Sequence, residues 1–191
     1  MRFSARGQWT CSSAKLVPLW LKRPCCGSTI VWSPNEPVDF IWRIARREDL
    51  TGSGGQRVSG RWHTRPKPVV YCAADPSTSL LELLRYVGDA WLLPDDYVML
   101  KIGVPRGLKM EIITLDDLPG GWSDKAAGYA ICQPYGDDWL LSCRAPLLCV
   151  PSVTGPNRWN VLINPAHRDS SHILVDKVIR DQPFTEITRE T

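Results

Sequence analysis

The sequence lacks a long apolar run. Although 43% of its 191 residues are hydrophobic, no stretch approaches the roughly 20 apolar residues that span a bilayer. Near the start, the segment 16–21 is interrupted by Pro18, and the basic residues Arg2 and Arg6 lead into polar positions rather than into the apolar centre of a signal peptide. We therefore expect a cytoplasmic protein with no membrane partner.

Paired C-x-x-C spacing, which is typical of zinc sites, is also missing. The seven cysteines are an odd number, and Cys25 and Cys26 are adjacent with no histidine nearby. Cys72 and Cys149 lie in apolar runs, where a thiol packs as a small hydrophobic group. We expect reduced, non-catalytic cysteines and no bound metal.

Familiar nucleotide-binding and hydrolase motifs are absent as well. The segment Gly52–Arg57 begins like a dinucleotide fingerprint, but Arg57 replaces the third glycine and the loop precedes a predicted strand instead of opening a helix. A P-loop-like glycine spacing lacks the lysine and hydroxyl residue that hold phosphate and magnesium. The three histidines form no triad, and we expect surface or capping roles for His167 and His172.

The net charge of +3 conceals an uneven distribution. Residues 1–38 carry a net charge of +4, whereas the remaining 153 residues carry −1. A basic surface for nucleic acid is therefore not expected on the globular part. Seven basic residues nevertheless lie between positions 43 and 67, a cluster that favours a site for a small anion: Arg43, Arg46, Arg47, Arg57, Arg61, Arg65 and Lys67.

Two regions differ in pattern. Residues 1–37 show no sustained period and are interpreted as an irregular extension or a misplaced translation start. Residues 38–191 are predicted to form a single α+β domain of short twisted strands with a few helices. Strands are predicted at seven places, and the stretch up to about residue 142 is expected to contain one or two short helices; the strands cover about 38–45, 69–73, 97–104, 109–115, 146–153, 159–163 and 173–179.

One helix has clear ends. Asp75 followed by Pro76 is typical of a helix start, and Gly88 closes the helix after Val87. The residues that repeat at helical spacing predict a core stripe: Leu80, Leu83, Leu84 and Val87. Glu82 lies about 200° round the helix from Leu80 and is predicted to point away from that stripe. The glycine-rich segment 52–60 is expected to be a flexible loop.

Six segments, taken in order, resemble the RES domain family. They are Trp42-Arg43, Ser59-Gly60-Arg61-Trp62, Val69-Val70-Tyr71, Ser79-Leu80-Leu81-Glu82, Val150-Pro151-Ser152 and Asn160 with Asn164-Pro165, and they cover about residues 40–180. The resemblance implies a fold related to ADP-ribosyltransferases and a bacterial toxin that consumes NAD and is held inactive by an Xre-type antitoxin. The sequence departs from the family pattern at His63, where asparagine is usual.

The resemblance also assigns the site. Arg43, Glu82 and Ser152 match the arginine, glutamate and serine of the family, and the cofactor-binding set adds three residues: Arg61, Tyr71 and Asn160. Arginine binds a diphosphate in bidentate geometry, and a carboxylate stabilises the cationic sugar that forms when the nicotinamide–ribose bond breaks. Tyr71 is expected to offer a flat face to nicotinamide, and Ser152 is expected to donate a hydrogen bond to the nicotinamide amide or to a phosphate oxygen.

Taken singly, these residues have ordinary explanations. Glu82 can pair with Arg85 at i+3 on an exposed helix face, Arg43 can be an exposed strand residue, Tyr71 can belong to the core, and Ser152 can be a turn residue. Hydrolysis or phosphorolysis of NAD, ADP-ribosylation of a protein and a non-catalytic NAD-binding module remain open as functions. A homo-oligomer also remains open.

Overall fold

A computed structural model describes residues 38–88 and 96–180 of the chain. The strands are β1 (Phe40–Ala45), β2 (Val70–Ala73), β3 (Val98–Gly103), β4 (Met110–Ile112), β5 (Leu147–Pro151), β6 (Trp159–Ile163) and β7 (Leu174–Ile179). The α-helices are α1 (Ser53–Arg57), α2 (Pro76–Val87) and α3 (Ala127–Ser142), and short 3₁₀ turns cover Leu115–Asp117 and Arg168–His172. Within these residues no helix is long and apolar enough to cross a membrane.

The strands form one sheet in the order β4-β5-β6-β2-β1-β3-β7. All neighbours are antiparallel except β4 and β5, which are parallel. β1 pairs with β3 along its whole length, but its pairing with β2 is reduced to Trp42 opposite Ala73. The sheet therefore consists of two halves, β4-β5-β6-β2 and β1-β3-β7, joined by a narrow connection.

Two buried clusters occupy the two faces of the sheet. Alternate residues of β5 divide between them: Leu147 and Cys149 belong to the first cluster, and Leu148 and Val150 to the second. The first cluster includes residues from both halves of the sheet, so the halves pack against each other through this core. The second contains residues of α3, among them the fully buried Trp139, so α3 covers the other face.

The α+β class and the predicted strands are confirmed, with ends that shift by at most three residues. The prediction of a flexible glycine-rich loop at 52–60 was wrong, since α1 lies there. Gly55 is buried, and a Cβ at this position would lie only 2.7 Å from Val69 Cγ1 and 2.8 Å from the Lys67 carbonyl oxygen. Glycine thus allows a close approach that fixes this segment.

The predicted helix from Asp75 to Gly88 is confirmed as α2. The one or two short helices expected up to about residue 142 include α3, which is 16 residues long although Pro134 lies within it. The prediction that the leucine stripe of α2 lies in the core was wrong. Its residues are only half-buried, while the buried positions of the helix are Thr78 and Ser79. The helix packs through its polar face, because that face carries the hydrogen bonds described below.

Gly136 on α3 gives a direct test of this packing. A Cβ at this position would overlap the carbonyl oxygen of Trp62, so helix and loop must separate to accommodate any side chain. We predict that Gly136→Ala lowers the free energy of unfolding by about 1–3 kcal/mol, as measured by urea denaturation. Gly120→Ala is the control, since its Cβ meets nothing within 4 Å, and an equal loss in both variants would contradict the prediction.

Candidate functional site

A cavity of about 350 Å³ opens where β1, β2, β6 and α2 meet. Its volume lies within the range of small-molecule sites. Its lining includes five of the six residues predicted for the site, namely Arg43, Arg61, Tyr71, Glu82 and Asn160, together with Arg85, Tyr86 and Tyr129. The sixth predicted residue, Ser152, lines an adjoining cavity of about 240 Å³ that shares the wall residues Pro151 and Val153.

Polar contacts at the first turn of α2 place the helix beside the cavity. Asp75 caps the helix, because its Oδ1 accepts the backbone N–H of Thr78 at 2.8 Å and its Oδ2 accepts the Thr78 hydroxyl at 2.5 Å. Arg158, next to the start of β6, donates from Nη1 to the Thr78 hydroxyl oxygen at 3.0 Å. The helix start is thereby tied to the strand that carries Asn160.

Glu82 is held by donors from two strands. Ser152 Oγ donates to Glu82 Oε1 at 2.7 Å, and Asn160 Nδ2 donates to the same oxygen at 2.6 Å. Asn160 lies in β6, directly opposite Ala73 of β2 and Val150 of β5, so the sheet itself fixes its position. Two short hydrogen bonds to one oxygen restrict the rotation of the carboxylate.

Ser152 is itself oriented by the turn that follows β5. Its Oγ accepts the backbone N–H of Thr154 at 3.1 Å and lies 2.7 Å from Thr154 Oγ1. Because a serine hydroxyl has one proton and that proton goes to Glu82, the Thr154 hydroxyl is the donor in their contact. Ser152 therefore presents its proton in one direction only.

Arg43 has a donor with no partner. Its Nε is buried and has no hydrogen-bond acceptor, and among the described residues no carboxylate lies within ion-pair distance of its guanidinium. An unpaired buried donor costs free energy unless a ligand satisfies it. This is the property expected of a side chain that binds an anion.

Arg61 differs from Arg43, although both line the cavity. Its Nη1 donates to the carbonyl oxygens of Trp122 at 2.5 Å and Asp124 at 3.2 Å, and its Nη2 also donates to Asp124. The guanidinium carbon lies 4.9 Å from the ring centre of Tyr129. These contacts hold Arg61 in the cavity wall, and its binding of a diphosphate stays a prediction.

Tyr71 lines the cavity, but its hydroxyl is occupied. The hydroxyl oxygen accepts the backbone N–H of Trp62 at 3.1 Å and lies 2.9 Å from His63 Nδ1. Burial raises the pKa of Tyr71 far above its ordinary value. A Cβ on Gly60 would lie within about 3 Å of both Tyr71 and His63, so glycine at this position allows the hydroxyl to reach its partners.

His63 fixes the wall formed by residues 54–60. Its Nδ1 accepts the backbone N–H of Gly60 at 3.1 Å, and its Nε2 therefore carries the proton donated to the Gly55 carbonyl at 3.1 Å. Burial lowers the pKa of His63. The residue at which the sequence departs from the RES pattern thus supports the cavity as a neutral histidine.

The sequence also made predictions for the cysteines and for His167. Cys72 and Cys149 are buried free thiols, as predicted, and burial raises the pKa of Cys72 to about 12. His167 caps the 3₁₀ turn that follows it, accepting from the Asp169 backbone N–H at 3.1 Å. The predictions for residues 1–37, which include Cys25 and Cys26, lie outside the described residues.

Two residues that contact predicted site residues, Thr154 and Arg85, were not assigned to the site from the sequence. Thr154 acts on Ser152 and has only its Ser-x-Thr spacing as a signal. Arg85 was considered only as an ion-pair partner, and the structure contains that pair, with Arg85 Nη1 3.5 Å from Glu82 Oε2. The i+3 spacing therefore identified a real contact but not its position on a cavity wall.

Comparison with known proteins identifies relatives of this chain. The family model of the RES domain matches residues 40–185. A protein of Pseudomonas putida named Toxin Res is 39% identical over 129 residues, which are 67% of this chain and 86% of that protein. A Sphingobium protein named Prs ADP-ribosylating toxin is 35% identical over 146 residues, covering 72% of this chain and 89% of that protein.

A solved structure shares the fold. A chain of the M. tuberculosis MbcT–MbcA toxin–antitoxin complex matches with a TM-score of 0.60 and 17% identity, over 74% of this chain and 82% of that one. The match of the family model and the similarity to the Pseudomonas protein lead to one conclusion. The chain belongs to the RES domain family.

The environment of His63 predicts a pH dependence of stability. Because the folded state lowers its pKa, the unfolded chain binds a proton near pH 6 that the folded chain does not. The free energy of unfolding should therefore fall as the pH drops below about 6.5, by at most about 1.4 kcal/mol per pH unit from this group. Urea denaturation at pH 7.5 and 5.5 measures this fall.

His63→Asn should reduce the fall. The control is His172→Asn, which removes an exposed histidine of the 3₁₀ turn and should leave the fall unchanged. Equal pH dependence in the wild type and His63→Asn would show that His63 does not carry the effect.

Proposed function

We propose that this chain is a toxin that binds NAD and cleaves its nicotinamide–ribose bond, which depletes the cofactor and stops growth. The observation that carries the proposal is the cavity in which Glu82, held by Ser152 and Asn160, shares a wall with Arg43 and its unpartnered buried Nε. The names of the Pseudomonas and Sphingobium relatives support the toxin assignment.

The diphosphate of NAD provides what Arg43 lacks. A phosphate oxygen can accept from the buried Nε and from a terminal nitrogen of the guanidinium together. The ring of Tyr71 lies in the same cavity and can pack against the nicotinamide ring. Arg43 would then bind the centre of the dinucleotide and direct its ribose toward Glu82.

The carboxylate suits the chemistry of the bond. When the bond between C1′ and the nicotinamide nitrogen breaks, its electron pair neutralises the cationic ring, so nicotinamide leaves as a neutral molecule and positive charge develops on the sugar. A fixed carboxylate stabilises that charge more than it stabilises the ground state. Water then adds its oxygen to C1′ and releases a proton, which yields ADP-ribose, nicotinamide and H⁺.

The acceptor distinguishes the main function from its rival. Phosphate in place of water gives phosphorolysis, and a protein side chain gives ADP-ribosylation, for which the name of the Sphingobium relative is the specific support. The residues that bind NAD are the same in each case. NAD labelled in its ADP-ribose part distinguishes them, because the label appears in free ADP-ribose or its phosphate in the first case and in protein in the second.

An antitoxin is the proposed partner. The solved structure that shares the fold is a toxin–antitoxin complex, and an antitoxin that covers the mouth of the cavity would exclude NAD. We propose an Xre-type antitoxin encoded next to this chain. Co-purification with that neighbour, and recovery of NAD cleavage when it is removed, test the assignment.

Glu82→Gln is the decisive variant for catalysis. It keeps the size of the side chain but removes its charge, so we expect kcat for NAD cleavage to fall roughly 10²–10³-fold. Growth arrest on expression should be lost with it. Release of nicotinamide measures the rate, and an unchanged far-ultraviolet circular dichroism spectrum shows that the variant folds.

Glu111→Gln is its matched control. Glu111 also forms an ion pair, with Arg144 at 3.1 Å, but lies away from the cavity, so its loss should leave cleavage and toxicity intact. If Glu82→Gln cleaves NAD and arrests growth as the wild type does, the chain is not an enzyme that uses this carboxylate, and a non-catalytic NAD-binding module becomes the better explanation.

Arg43→Met separates stability from binding. Removing an unsatisfied buried donor should raise the free energy of unfolding by about 1 kcal/mol, while the shift in Tm caused by NAD disappears. Thermal denaturation with and without NAD measures both effects. Arg106→Met, at an exposed ion pair with Asp39, should keep the NAD shift. A marked loss of stability in Arg43→Met would mean that Arg43 supports the fold.

A further inference from the structure

Arg85 lies one helical turn after Glu82 and lines the same cavity. Its Nη1 is 3.5 Å from Glu82 Oε2, and 39% of its side chain is exposed. Exposed i,i+3 ion pairs of this length contribute little to stability, because water and salt screen them. The contact is therefore one that a ligand can replace.

The two oxygens of Glu82 are held unequally. Oε1 accepts short hydrogen bonds from Ser152 and Asn160, whereas the contact of Oε2 with Arg85 is at the outer limit of hydrogen-bond distance. The carboxylate would therefore keep its place if Arg85 moved away. Loss of the ion pair would leave Oε2 free to accept a hydrogen bond from a ribose hydroxyl.

The two other arginines that line the cavity differ from Arg85 in their freedom to bind an anion. Arg61 has both terminal nitrogens bound to backbone carbonyls, so it cannot turn toward a ligand without breaking the wall. Arg43 has an open donor, but a diphosphate has two phosphate groups. Among the described residues that line the cavity, Arg85 is the second guanidinium that can reach an anion at modest cost.

We propose that Arg85 is a second binding residue for the diphosphate of a dinucleotide, and that it exchanges its ion pair with Glu82 for a phosphate oxygen when the ligand enters. This inference rests on the proposed function, since it names a residue for the same site. In the empty cavity Arg85 neutralises Glu82. In the occupied cavity it neutralises the ligand, and Glu82 faces the sugar with its full charge.

The test combines binding with kinetics. ADP-ribose carries the diphosphate without a bond to cleave, and its affinity is measured by calorimetry for the wild type, Arg85→Gln and Arg85→Lys. We expect Arg85→Gln to weaken ADP-ribose binding about 10–100-fold, the range for loss of a charged hydrogen bond, and Arg85→Lys to restore part of it. For NAD cleavage, KM should rise by a similar factor while kcat changes little.

The control is Arg168→Gln, which removes an exposed arginine paired with the adjacent Asp169 outside the cavity and should change none of these values. If Arg85 only positions Glu82, Arg85→Gln lowers kcat with ADP-ribose affinity unchanged, and the proposal is overturned. A wild type that does not bind ADP-ribose overturns it as well. A wild type that binds ADP-ribose through Arg85 but does not cleave NAD refutes the proposed function alone.

Discussion

The pair of hydrogen bonds that Ser152 and Asn160 donate to Glu82 joins the parts of this molecule on which its site depends. Glu82 belongs to α2, Ser152 to the turn after β5, and Asn160 to the beginning of β6. One carboxylate oxygen therefore connects a helix to two neighbouring strands. Such a group is costly to bury unless it is hydrogen-bonded, and these donors supply that compensation at Oε1, while Oε2 pairs with Arg85.

The sheet explains why a cavity exists beside this carboxylate. Continuous pairing would let β1 and β2 close against each other, but they meet only at Trp42 and Ala73. The two halves share a core on one face, whereas α3 covers the other face next to β5 and β6. The space between the halves is lined by α2, by the segment around Gly55 and by Arg43. The opening thus results from strand pairing that stops early.

Local patterns in the sequence predicted local structure well. The Asp75-Pro76 start and Gly88 end of α2 depend on backbone conformation that nearby residues determine, and the strands follow from alternation over a few residues. The family segments brought Glu82, Ser152 and Asn160 into one hypothesis, and the structure places them in contact. Neither composition nor periodicity alone would have joined residues 70 or more positions apart.

The failures have a common physical cause. Gly55 is fixed by contact with Val69, a contact that arises only in the folded chain. The leucine stripe on α2 followed a valid helical period, yet the polar face of that helix packs more closely. The hydrophobic period of a helix indicates which face can be buried. In α2, hydrogen bonds to strands distant in sequence determined which face is buried.

The polar attachment of α2 determines which of its positions can vary. Hydrogen bonds hold α2 at its first turn, through Asp75, Thr78 and Arg158, and again at Glu82. Two groups of polar contacts, one turn apart along the helix, therefore fix the rotation of α2 about its own axis. A turn of one residue, about 100°, would carry the carboxylate out of the cavity. The half-buried leucines of α2 contribute less to fixing this rotation. Leucine can therefore be replaced by a smaller or larger residue there while the orientation of Glu82 stays the same.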